Sequence, residues 1–165
     1  MSQSISVPAD GNLAVRFVTT IADSANPTAA EINAGTSVDL SCYITGDGLK
    51  TGTDEQTVTD PRLCSTQVFE QPGRHTDSIE LTYVYNILSA GDDLARLALP
   101  KGTTGYIVAR WGVLYSQAFA AGDIVDVWRI KAGTQQKQPP TANGLLTMMQ
   151  KMFVTGETQR DVVVA

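Results

Sequence analysis

Two stretches of this chain carry apolar side chains on both faces of an extended backbone: residues 106–115, YIVARWGVLY, and residues 123–131, DIVDVWRIK. A strand turns successive residues to opposite sides, so such a stretch has no face to offer water. Both must lie in the middle of the packing, with other structure on either side. Gly105 and Ala121-Gly122 bound them.

The remaining segments supply that cover, mostly as further strands. Leu13, Val15 and Phe17 alternate with Ala14, Arg16 and Val18. Ile79, Leu81, Tyr83 and Tyr85 share one face of a long strand, and Glu80, Thr82 and Val84 the other. Residues 65–70 read as a short strand, closed by the turn signal Gln71-Pro72-Gly73-Arg74. Residues 145–154, LLTMMQKMFV, fit helix or strand by period, and the surrounding strands favour strand. Residues 133–143 are polar and contain Pro139-Pro140, which suits a loop or an extended edge.

Helix signals are few. Thr28 and Glu31 have capping-box spacing, Pro27 stands just before them, and Ala29, Ala30 and Ile32 allow about one turn. Gly35 offers an exit. The period then changes: Val38, Leu40, Cys42 and Ile44 alternate with Ser37, Asp39, Ser41 and Tyr43, a half-buried strand that would bury Cys42 as a small hydrophobe. Gly46-Asp47-Gly48 ends it in a turn. Residues 89–99, SAGDDLARLAL, predict a helix of about three turns, with Asp92 and Asp93 at its positive end and Pro100 as its stop.

Residues 45–63 are almost wholly polar and too long for a tight turn, which predicts a working or disordered loop; part of it, Glu55 to Val58, can pair as an exposed hairpin arm. The expected fold class is mainly β: a β-sandwich or rolled barrel of six to eight strands with one flanking α-helix and a long polar loop. Residues 1–12 read as a flexible N-terminal arm, and 13–165 as a single β domain.

Chemistry is sparse. His75 is the sole histidine, which excludes a multi-histidine metal site, and it sits in a predicted turn. No GxSxG, HExxH, Walker or GxGxxG pattern occurs. No enzyme, metal or cofactor is expected. The net charge is −5 and no Lys/Arg cluster stands out, which argues against gripping nucleic acid. Tyr83, Tyr85, Tyr106, Trp111, Tyr115 and Trp128 can stack bases in principle, but core or subunit packing is the simpler use. The two cysteines, Cys42 and Cys64, can pair geometrically, though two cysteines alone do not imply a bond. The N-terminus has no signal-peptide pattern and no apolar run is long enough to span a membrane, so a cytoplasmic origin with reduced thiols is expected.

The charged fraction, 18%, is low. Together with two-faced strands, long polar segments and a terminal Val triplet, it points to a surface that packs against copies of itself. Two sheets burying both faces within one subunit would explain the strands equally well.

The segment EINAGTSVDLSCYIT (31–45) resembles the N-terminal part of major tail tube proteins of long-tailed, siphovirus-type bacteriophages, especially those of actinobacteria. Chain length and strand order extend the likeness from about Asn12 to Gly156. The resemblance implies a structural, non-enzymatic virion protein. It implies six subunits closing into a ring by edge-to-edge sheet pairing, and rings stacking into the DNA conduit of a non-contractile tail. It also implies a tape measure protein and a tail terminator as partners, DNA passing the lumen without specific binding, no membrane, and assembly in the host cytoplasm. On that footing Asp47, Lys50, Asp54, Glu55 and Arg62 are candidates for inter-ring contact, and Asp54, Glu55 and Glu80 for lumen charge. A β-sandwich module binding carbohydrate or a receptor is the alternative, favoured if Trp111 or Trp128 is exposed in a shallow cleft. A small barrel holding an apolar ligand is a third possibility.

Overall fold

A computed structural model describes residues 3–165, so Met1 and Ser2 of the expected arm lie outside the described residues. The elements run β1 (Leu13–Val18), α1 (Ala29–Ile32), β2 (Val38–Asp39), β3 (Ile44–Asp60), β4 (Phe69–Val84), a 3-10 turn (Ala90–Asp92), α2 (Leu94–Ala98), β5 (Thr104–Trp111), β6 (Ile124–Lys137), β7 (Thr147–Val154) and β8 (Gln159–Val163). The strands form one antiparallel sheet in the order β2-β1-β5-β6-β7-β4-β3, curled into a half-barrel. β5 takes one edge of β6; β7 and β8 share the other, end to end.

The middle strands are sealed on both sides, as their sequence requires. One core holds Val15, Phe17, Ile107, Ala109, Trp128 and Ile130, together with Leu81 and Tyr83 of β4 and Met148 and Met152 of β7. Ala95 and Leu99 close it from the α2 side. On the opposite face, Ala14, Val18, Val108, Val125 and Val127 pack under Ile32 of α1, Phe119 and Val164. β4 and β7 contribute only to the first core, so their other face, with Glu80, Lys151 and Phe153, meets solvent or is half-covered. The C-terminal valines are not a loose tail: Val164 is buried and β8 pairs with β6.

Local signals were read correctly where they are short-range. Thr28 caps α1 through the Glu31 amide, and Glu31 Oε2 accepts from the Thr28 N–H at 2.9 Å. The exit is Asn33, with a negative φ, and not Gly35. Elsewhere the structure departs from expectation. The strand predicted for 37–44 stops at Asp39, because a turn brings the Tyr43 N–H onto the Leu40 carbonyl; Cys42 is thereby exposed, not buried. The helix predicted for 89–99 is broken into the 3-10 turn and the five residues of α2, because the Asp93 side chain turns inward to accept from the Asn86 N–H and from Arg96 Nε at 2.6 Å. There are therefore two short α-helices, not one. For 133–143, read as a loop or an extended edge, the structure is extended to Lys137, where β6 ends, across an irregularity between Ala132 and Gln135.

The largest correction concerns residues 45–63. Residues 45–60 are not a loop but nearly all of β3, paired with β4, and only 61–63 belong to a connection; the pairing expected for Glu55 to Val58 is present and extends far beyond it. The expected turn at 71–74 lies within β4, and the true connection is 61–68. Pro72 and Gly73 sit at a register shift, Glu55↔His75 then Thr57↔Pro72, where a proline's missing N–H does no harm to the ladder. A Cβ on Gly73 would stand 2.8 Å from the Gln56 carbonyl oxygen. His75 is thus an exposed strand residue facing Glu55.

A buried polar group fixes α2 to the sheet. Gln150, wholly buried on β7, donates from Nε2 to the Leu99 carbonyl at 2.8 Å and the Gly133 carbonyl at 2.9 Å. Its Oε1 accepts from the Tyr83 hydroxyl at 2.9 Å, and burial pushes that phenol up to about 12, so it stays a donor. Gln135 Nε2 adds bonds to the Arg96 and Leu99 carbonyls. Replacing Gln150 with Leu strands these partners without water. We expect Gln150→Leu to cost about 2–3 kcal/mol in urea denaturation of the free subunit; a change under about 0.5 kcal/mol would show the network to be dispensable.

Candidate assembly interface

β3 and β4 outrun the sheet. β4 pairs with β7 only from Ile79 to Val84, so residues 69–78 of β4 and 52–60 of β3 pair with each other alone. At about 3.3 Å per residue this ribbon projects roughly 33 Å. No residue of 51–60 or 69–78 is buried. The outer edge of β3 has no partner strand, whereas the opposite end of the sheet is closed by the two-residue β2 and by Ser41, whose hydroxyl accepts from the Val15 N–H at 3.0 Å. An isolated two-stranded ribbon is marginal in water, and an open edge is a template for another chain.

A polar clamp holds the root of the arm. Arg160 of β8 donates from Nη2 to Asp77 Oδ1 at 2.7 Å and to Thr53 Oγ1 at 2.8 Å; Thr53 in turn donates to Asp77 Oδ1 at 2.6 Å. Burial alone would raise the Asp77 carboxyl, but hydrogen bonds from Thr53 and Arg160 and the Arg160 charge outweigh it and lower its pKa from 3.8 to about 2.

Of the sequence-derived site residues, Asp54, Glu55 and Arg62 lie on the arm or at its tip, whereas Asp47, Lys50 and Glu80 lie at its foot. Asp47 lies at the foot, in the irregular step between Ile44 and Leu49. There a Cβ on Gly48 would fall 2.2 Å from the Thr82 carbonyl oxygen, so the chain approaches β4 at a distance only glycine allows. Lys50 pairs with Glu80 at 3.6 Å. Asp54 and Glu55 stand halfway out, across from Thr76 and His75, and Arg62 pairs with Asp60 at the tip at 3.0 Å. Glu80 does not stand alone: it shares a shallow depression with Lys101, Lys131, Lys151 and Phe153.

Sequence reasoning missed the apolar residues of the tip and of the foot. At the tip, Val58, Leu63, Val68 and Phe69 are all exposed. At the foot, an open groove of about 760 Å³ is lined by Val7, Leu13, Cys42, Leu49, Trp111 and Tyr115, among others. Its wall is fixed by Gly112 and Tyr115, whose N–H groups donate to the Asn12 and Gly11 carbonyls. Trp128 is in the core, whereas Trp111 is half-exposed and donates from Nε1 to Asp126 at 2.9 Å. Arg110, beside Trp111 in sequence, is buried: its two Nη atoms bind Asp123 and the carbonyls of Leu114, Gln117 and Ala118, and the guanidinium stacks on Phe119, while Nε is buried without a partner. Burial closes it to a phosphate from solvent. Among the described residues, no three His, Cys, Asp or Glu side chains gather into a metal cluster, and no helix is long and apolar enough to cross a membrane.

The Asp77 clamp has a definite pH signature. A carboxyl lowered on folding contributes stability fully above about pH 4, and that stability disappears as pH falls through 2. With Arg160 half-exposed, the clamp is worth about 1 kcal/mol. Asp77→Asn should lower the subunit's denaturation free energy by about that amount at pH 7, and the gap to the wild-type chain should close below pH 2. Equal stability at pH 7 would show that the clamp does not hold the arm.

Comparison with known proteins places these features. The family model described as "Phage tail tube protein" matches residues 1–165, the whole chain. No curated protein matches the sequence. Among solved structures, a chain in the cryo-EM structure of the anti-feeding prophage baseplate, 6-fold symmetrised, shares the fold with a TM-score of 0.54 at 10% identity, over 96% of this chain and 95% of that one.

Proposed function

The chain belongs to the phage tail tube protein family and is a structural component of the virion tail, and from that premise we infer that six copies close into a ring and that rings stack into the DNA conduit of a non-contractile tail. The observation that carries this is the arm: about twenty paired residues without one buried apolar side chain, attached to a body sealed on both faces of its central strands. A ribbon built that way gains its burial from another copy. The unpaired edge of β3 favours lateral pairing between neighbours, and such a head-to-tail contact closes into a ring when its rotation allows. Six is taken from the resemblance and from the symmetry of the baseplate that shares the fold.

In this assignment residues 13–165 are the tube domain and 1–12 an arm. The arm β3–β4 bridges one ring to the next, with Asp47, Lys50, Asp54, Glu55 and Arg62 as its polar contacts. A tape measure protein and a terminator meet the tube, assembly takes place in the host cytoplasm, and the protein performs no catalysis. The alternative, a module that binds carbohydrate or a receptor, has one observation on its side, the half-exposed Trp111 beside an open groove. Tube formation by the purified protein separates the two.

Gly52 and Ser78 already face each other in the ladder, so residues 53–77 can be replaced by an Asn-Gly turn without disturbing the part of β4 that pairs with β7. We expect a folded variant, by circular dichroism, that forms rings but no stacks in electron micrographs. Full-length tubes from that variant would sink the bridging role.

Lumen charge is a separate expectation. If Asp54, Glu55 and Glu80 face the channel, lysine at all three should leave tubes intact but slow DNA ejection, most at low salt, where phosphate attraction is least screened. Ejection at the wild-type rate at every salt concentration would place these residues off the DNA path.

A further inference from the structure

The two cysteines stand at opposite ends of the arm. Cys42 lies at the foot, two residues before β3, in the wall of the Trp111–Tyr115 groove. Cys64 lies in the 61–68 connection at the tip. Both are exposed and free. β3 between them runs 17 residues, which at about 3.3 Å each separates the two thiols by roughly 50 Å. A disulfide needs Cα atoms within about 7 Å. They cannot pair within one chain.

Each cysteine is set among exposed apolar groups. Cys64 has Leu63 beside it, with Val58, Val68 and Phe69 at the end of the ribbon. Cys42 has Leu13, Leu49, Trp111 and Tyr115 around it in the groove wall. Charge does not oppose a meeting of the two. At the tip Asp60 is offset by Arg62, while Asp10 is the one formally charged residue among those lining the groove. A ribbon with no buried residue gains from seating its apolar end, and the groove has room for several side chains.

We propose that the arm tip of one copy docks into the Trp111–Tyr115 groove of the next, bringing Cys64 of the first against Cys42 of the second. The proposal rests on the assignment of the arm as the bridge between rings and names its acceptor. Tip-to-foot docking is head-to-tail, and where its rotation does not close into a ring it repeats and extends a stack. It also makes the contact closable by oxidation. With oxidised glutathione as oxidant, one cysteine thiolate attacks a glutathione sulfur and releases glutathione thiolate. The second cysteine thiolate attacks the resulting mixed disulfide and releases the second. Two protein thiols are oxidised, one glutathione disulfide is reduced, and the two protons pass to the leaving thiolates.

The test uses tubes of the full chain treated with oxidised glutathione, then non-reducing electrophoresis and peptide mass spectrometry. The expected result is a ladder extending beyond the dimer, a Cys42–Cys64 linked peptide, and protection of both thiols from iodoacetamide in tubes but not in free subunits. Cys42→Ser and Cys64→Ser should each form tubes and give no ladder. Tubes whose thiols both stay open to iodoacetamide, or whose linked peptides are Cys42–Cys42 or Cys64–Cys64, would overturn the dock and leave the tube assignment standing. Absence of both tubes and ladder would overturn the assignment and the dock with it.

Discussion

β5 and β6 must be covered on both faces, and in each direction the cover is pinned by a buried polar side chain. On one side Gln150 binds the carbonyl at the end of α2. On the other, Arg110 gathers the segment 112–123 by four acceptors and lays itself on Phe119, which completes the second core. Elements this small, with helices of four and five residues, have no independent stability. Apolar contact brings them to the sheet, but directional bonds decide where they stop. Both pins are costly to break, since their partners have no water to turn to.

Legibility in the sequence followed the range of the interaction. The capping box at Thr28 and Glu31 is a contact over three residues and was read in full. The two-faced strands were legible because burial on both sides leaves a run of apolar residues. The arm was legible only at Glu55 to Val58, which can pair as an exposed hairpin and do; its extent was not, because its pattern is set by the absence of a core. Residues 51–60 carry polar groups on both faces, so no alternation marks them as strand, and Pro72-Gly73 within β4 looks like a turn to any local rule. Only the partner strand, some twenty residues away, makes β3 a strand. Cys42 was misplaced for a related reason: the alternation through Val38, Leu40 and Ile44 is real, but a tight turn at 40–43 takes Cys42 out of the sheet.

The position of functional candidates along the arm was therefore partly visible and partly not. Charged residues drew notice because a long polar segment asks for a purpose. The apolar residues at its tip did not, since Leu63 and Phe69 lie on either side of a connection whose place was unknown. Trp111 and Trp128 were equivalent on paper. Their separate fates depend on register, which sets Trp128 opposite Ile107 in the core and leaves Trp111 at the strand end beside Leu13.

A ribbon that pairs only with itself breathes. Whatever seats it must first still those fluctuations, and the entropy lost in doing so offsets part of the contact energy. Each single engagement is accordingly weak and short-lived, while several made in parallel around a common axis hold together far longer than any one of them. Under the proposed bridging role, a misplaced copy held by one arm would let go before its neighbours arrive. The slenderness of the arm would then act as a form of proofreading, in which speed of release guards the regularity of what is built.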